Sequence, residues 1–130
     1  MKKTPNMEQW LQEAKQDPNA AQVGMYLIHN GTVRATARAK VRQEEGQTRP
    51  VTGMVFSCDM EKVAAAEKAT RALEGIYYVR TWLNEGRLSV GDDLMYVLVG
   101  GDIRPHVLAA LDFLVGKLKT ECVREQELYD

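Results

Sequence analysis

Three β-rich runs lie between residues 76 and 99, separated only by the turns Asn84-Glu85-Gly86 and Gly91-Asp92. Connections this short cannot hold a crossover helix, so the runs at residues 76–83, 87–90 and 94–99 are predicted to pair antiparallel. Gly100-Gly101 follows, and then a helical pattern with Asp102 as N-cap and Pro105 in the first turn. Its apolar stripe is Val107, Leu108, Leu111, Leu114, Val115 and Leu118. A second helix is predicted over residues 60–73, with Val63, Ala66, Thr70 and Leu73 on one face and Gly75 beyond its end.

Upstream, residues 7–16 read as a short helix with Met7, Trp10, Leu11 and Ala14 at helical spacing, closed by Asp17-Pro18-Asn19. Residues 23–42 alternate as strands do: Val33, Ala35, Ala37, Ala39 and Val41 against Arg34, Thr36, Arg38, Lys40 and Arg42. Residues 43–50 are charged and glycine-bearing, which is loop composition, and residues 51–57 return to the sheet. The expectation is one α+β domain over residues 1–130, with helices packed on antiparallel sheet. Residues 1–22 form its N-terminal helix and turn, and residues 121–130 a loose charged tail.

A length of 130 residues with 45% apolar and 27% charged side chains suits one such domain. Seventeen basic against eighteen acidic residues, net −1, give no bulk field for nucleic acid or an anionic membrane. Any anion site must be a local cluster. The N-terminal segment has no apolar run of signal or spanning length, so a cytoplasmic location is expected. Cys58 and Cys122 fit no metal spacing, and no metal site is expected.

Few residues remain that could carry chemistry. Gly100-Gly101-Asp102-Ile103-Arg104 sets a guanidinium beside a helix N-terminus, a place where a phosphate or carboxylate can be held, and equally a plain strand-to-helix turn. Lys119 borders the apolar stripe at the other end of that helix, either as a proton acceptor or as a partner of the dipole. Fifteen positions separate the two, about 22 Å along a helix, so one copy of the helix cannot bring both to one small substrate. A shared site requires a homodimer. Arg34, Arg38, Lys40 and Arg42 form a basic strand face, which can touch an anionic ligand or simply face water. His29 and His106 stand alone, and Asp92 and Asp93 read as turn and edge residues.

Several segments together resemble a known family. Gly24-Met25-Tyr26-Leu27-Ile28-His29-Asn30-Gly31-Thr32-Val33-Arg34, Val51-Thr52-Gly53-Met54 before Met60-Glu61-Lys62, and Gly86-Arg87-Leu88-Ser89-Val90-Gly91-Asp92-Asp93 followed by Arg104 and Leu118-Lys119-Thr120 are similar, in order and spacing, to the catalytic large subunit of molybdopterin synthase. The resemblance runs from about residue 24 to residue 120. It implies an α/β-hammerhead fold and a homodimer with a small ubiquitin-like sulfur-carrier subunit, ending in Gly-Gly, at each outer end. The implied activity is sulfur transfer from the carrier's C-terminal thiocarboxylate to cyclic pyranopterin monophosphate, in molybdenum cofactor biosynthesis, without a cofactor.

By the same resemblance Arg34 and Lys119 match the catalytic pocket, and Arg104 a substrate-binding arginine supplied across the dimer. The chain departs from the pattern at three places. His29 stands for an aromatic, Ile103 for the histidine before Arg104, and Gln126 for a second lysine, with Arg124 or Arg42 as substitutes in charge. Those departures leave open a catalytically weakened paralogue that binds a carrier protein or pterin, and a dimeric α+β ligand-binding protein alike only in fold.

Overall fold

The computed structural model describes residues 3–38 and 49–129. Helix α1 (Met7–Ala14) starts where the Asn6 side chain accepts a hydrogen bond from the Gln9 N–H at 3.0 Å. Strand β1 (Met25–Thr32) follows a short 3-10 turn at Ala20–Gln22. After the loop come β2 (Val51–Cys58) and α2 (Met60–Arg71), the latter capped by the Asp59 carboxylate, which accepts from the N–H groups of Glu61 and Lys62. Then come β3 (Ile76–Leu83), β4 (Gly86–Ser89), β5 (Asp93–Gly101) and α3 (Arg104–Lys117). A five-residue π-type turn (Leu118–Cys122) leads into β6 (Val123–Tyr129).

The strands form two antiparallel three-stranded sheets, ordered β1-β5-β3 and β4-β2-β6. Met95, Val97 and Val99 of β5 meet Val107, Ala110 and Leu114 of α3 and Val63 and Ala66 of α2 in the main core, which Met54, Phe56 and Leu88 of the second sheet complete. Each of these larger side chains contributes about 1.5–3 kcal/mol by leaving water. On the other face of the first sheet, Trp10 and Ala14 of α1 pack on Leu98, with Tyr26, Tyr78, Trp82 and Tyr96 around them. Arg80 lies 4.5 Å from the Trp10 ring centre and pairs with Glu13, so α1 is held by charge as well as apolar contact. The architecture is α+β with packed antiparallel sheets, as expected.

Four local expectations are corrected. β3 and β5 pair, but β4 between them leaves for the other sheet. Gly86 (φ 129°) and Gly91 (φ 93°) make that departure possible, and it buries Leu88 opposite Met54. Residues 33–38 are not a strand, because the buried positions are Val33 and Ala37, four apart, with Arg34, Ala35 and Thr36 exposed between them. Backbone bonds from the Val33 N–H to Asp92 O and from the Val51 N–H to Ala35 O fix this irregular path. Arg34 and Arg38 therefore do not share a sheet face, and Lys40 and Arg42 lie outside the described residues.

The segment expected as a loose tail is strand β6, paired with β2 from Cys58↔Val123 to Val51↔Tyr129. Its half-buried positions include Glu125 and Glu127, which no hydrophobic pattern announces. The N-cap of α3 is Ile103, not Asp102, and Asp102 binds His106 instead. Among the described residues no helix is long and apolar enough to cross a membrane.

Candidate functional site

One cleft of about 560 Å³ opens where the two sheets meet the end of α3. The C-terminal half of β1 delivers His29, Gly31 and Thr32, and the irregular segment after it delivers Arg34 and Arg38. The π-type turn delivers Lys119, the inward face of β6 delivers Glu125, Glu127 and Tyr129, and Met54, Leu94, Met95 and Val115 make the apolar lining. Gly31 keeps the wall thin, since a Cβ there would come within 3.3 Å of Met95 Cγ and 3.7 Å of His29 Nε2.

Polar contacts order the acidic wall. Lys119 Nζ donates to both oxygens of Glu125, at 2.9 and 3.1 Å. The Glu125 side chain is only 16% exposed against 38% for Lys119, so the pair is better shielded than an ordinary surface bridge. Glu127 accepts from the Arg38 backbone N–H at 3.0 Å and from the Tyr129 hydroxyl at 3.0 Å. Burial, and then the Glu127 hydrogen bond, raise the Tyr129 hydroxyl above its ordinary value, so it stays a donor. Arg49 lies 5.6 Å from the Tyr129 ring centre at the rim.

His29 faces this ion pair without a hydrogen-bonded partner of its own among the described residues. Burial first, and the Lys119 charge second, lower its pKa below the ordinary 6.5, so its ring is neutral near pH 7. Arg34 is exposed at the mouth and has no acidic partner among the described residues. Among the described residues three cationic side chains, Arg34, Arg38 and Lys119, face two carboxylates, Glu125 and Glu127, which leaves a slight positive excess. Among the described residues the cleft thus offers a guanidinium with no carboxylate on it, a charged donor pinned by a carboxylate, and a neutral imidazole.

Of the residues expected at the site, Arg34 and Lys119 are brought together. Arg104 is not: it is the exposed first residue of α3, whose 14 residues span about 21 Å, and it lies at the far end from Lys119. Arg124 is exposed on β6 and alternates with the cleft-lining Glu125 and Glu127, so it faces away, as does Gln126. Arg42 is outside the described residues. Glu125, Glu127, Tyr129 and His29 were not read from the sequence as site residues. The signal available for the first three was alternation of charge along residues 123–129 rather than of apolarity. Among the described residues no three His, Cys, Asp or Glu side chains converge as metal ligands.

Comparison with known proteins gives this geometry a context. The family model described as MoaE protein matches residues 2–121. A search of curated proteins returned no match. Among solved structures, a molybdopterin synthase from Staphylococcus aureus superposes with a TM-score of 0.72 at 14% identity, covering 97% of this chain and 86% of that one. The molybdopterin biosynthesis MoaE protein from Burkholderia ambifaria MC40-6 gives a TM-score of 0.69 at 17% identity, covering 98% and 86%. A complex of subunits 1 and 2 of molybdopterin-converting factor from Helicobacter pylori 26695 gives 0.62 at 12% identity, covering 96% and 84%. At such identities the likeness is one of fold, while the family match spans nearly the whole chain. The chain belongs to the MoaE family.

Proposed function

We propose that the chain is the catalytic large subunit of a molybdopterin synthase, moving sulfur from the C-terminal thiocarboxylate of a small carrier subunit onto cyclic pyranopterin monophosphate in the cytosol. The observation that carries this reading is the convergence of Arg34 and Lys119, from segments far apart in sequence, on one cleft. Arg34, free of acidic partners among the described residues, holds the cyclic phosphate. Lys119 places an N–H donor and positive charge where negative charge develops as the thiocarboxylate sulfur is transferred. Arg104, about 21 Å off on its own chain, serves the cleft of a second copy, so the working unit is a homodimer with a carrier at each outer end.

The test is conversion of the cyclic phosphate precursor by the purified chain with a thiocarboxylated carrier ending in Gly-Gly. Product forms, and Lys119→Ala lowers the rate by about a hundredfold. A carrier shown to bind but yielding no product would overturn the reading. That outcome would favour a weakened paralogue that binds a carrier or pterin without turnover. The specific observation on that side is the two-point hold of Glu125 on Lys119.

A further inference from the structure

We propose that Glu125 is the specificity-determining residue of the cleft: its carboxylate occupies Lys119 as an internal counterion that an incoming anionic group must displace. The chemistry of that group, a carboxylate-like terminus or a phosphate, rests on the sulfur-transfer reading, whereas the displacement itself does not. Both Glu125 oxygens bind one ammonium, at 2.9 and 3.1 Å, which is the contact a carboxylate or phosphate ligand would make there. Strand alternation fixes the choice of partner. β6 pairs with β2 over its whole length, so Glu125 points inward while Arg124 and Gln126 point out. The strand keeps Glu125 facing the cleft and its side chain is only 16% exposed, whereas Lys119 stands on a wide turn and is 38% exposed, so the lysine is the partner more readily drawn off.

The cleft also offers the incoming anion a second contact. Arg34 lines the same space with no carboxylate on it among the described residues. A ligand that bridges Arg34 and Lys119 recovers what it loses by displacing Glu125, while a small anion reaching only Lys119 does not. Glu125 therefore raises the threshold for simple anions and favours one long enough to engage both cations.

Calorimetric titration with inorganic phosphate tests this without any carrier. Glu125→Gln, shown to be folded by circular dichroism, binds phosphate about tenfold more tightly than the native chain. Lys119→Ala added to that variant abolishes the gain. Glu125→Asp keeps the charge and binds phosphate as weakly as the native chain. His29 reports the field independently: with the carboxylate gone the Lys119 charge is less neutralised, so the imidazole pKa read by NMR falls below its native value. Equal phosphate affinity in native and Glu125→Gln chains overturns the proposal, and so does a gain that survives loss of Lys119 or is matched by Glu125→Asp. Sulfur transfer is scored separately with the thiocarboxylated carrier. Its absence in both native and Glu125→Gln chains counts against the functional reading and leaves the counterion result standing.

Discussion

The two ends of α3 carry the same kinds of side chain and reach opposite electrostatic outcomes. At the N-terminal end His106 Nδ1 lies 2.7 Å from Asp102 Oδ1, and Glu74 stands 3.8 Å from its other nitrogen. That hydrogen bond raises the His106 pKa above 6.5, against a smaller opposing effect of burial. At the C-terminal end the carboxylate is taken by Lys119, and His29 is left with burial and a nearby positive charge, which lower its pKa. The difference lies in which neighbour holds the carboxylate, not in which residues are present. It also separates the two cations of interest: Arg104 stands in open water beside a closed His–Asp pair, and Lys119 sits in a cleft.

The largest effect comes from asking whether the two ends ever serve one site. If Arg104 of one copy works with Lys119 of another, Arg104→Ala and Lys119→Ala chains are each nearly inactive alone, and mixing and reassociating them restores about a quarter of native turnover. No recovery after verified subunit exchange would assign both residues to one chain or remove Arg104 from the site.

A smaller effect follows from disturbing only the N-terminal end. Gly75 has φ 76°, and a Cβ there would fall on Asp102 Oδ1 and His106 Nδ1. Gly75→Ala is expected to destabilise the fold by about 1–3 kcal/mol in urea unfolding and to bring the His106 pKa down, with His29 unchanged. A shift at both histidines would show that the two ends are coupled.

The smallest effects are the titrations themselves. His106 has a raised folded pKa, so its contribution is fully present below 6.5 and is lost as pH rises through the folded value. His29 has a depressed folded pKa, so the fold loses stability as pH falls from 6.5 toward that value. Acidification through this window therefore sets the two histidines against each other. Asp102→Asn removes the favourable one, and its unfolding midpoint is expected to drop more steeply than that of the native chain between about pH 7.5 and pH 5.5. Parallel curves would show that His106 does not contribute through Asp102.

What the sequence revealed depended on which residues face inward. Helices α2 and α3 were legible because Val63, Ala66, Val107 and Leu114 repeat at helical spacing toward a dry core. β3 and β5 were legible from their apolar and aromatic runs. β6 was not, because two of its half-buried positions carry carboxylates whose partners, Lys119 and the Arg38 backbone N–H, appear only in three dimensions. Residues 33–38 misled in the opposite direction, since alternating alanines and arginines imitate a strand while long-range backbone bonds hold the segment in another path. Arg34 and Lys119 could be singled out as charged residues on a basic run and at a helix end, but their expected roles came from family likeness, because spacing alone left a solvated reading equally open. His29 drew no assignment because a single histidine says nothing about the field around it.

The turn at Leu118–Cys122 has a consequence for how such a pocket can change over evolution. It sets the phase of β6, and a strand shifted by one residue exchanges its faces. Deleting a single residue there would swing Arg124, Gln126 and Leu128 toward the cavity and send Glu125, Glu127 and Tyr129 to solvent, turning an anionic wall into a cationic one without any substitution. In a lineage of this kind, a frame-preserving loss of one codon would be a shorter route to a different ligand than a series of point mutations.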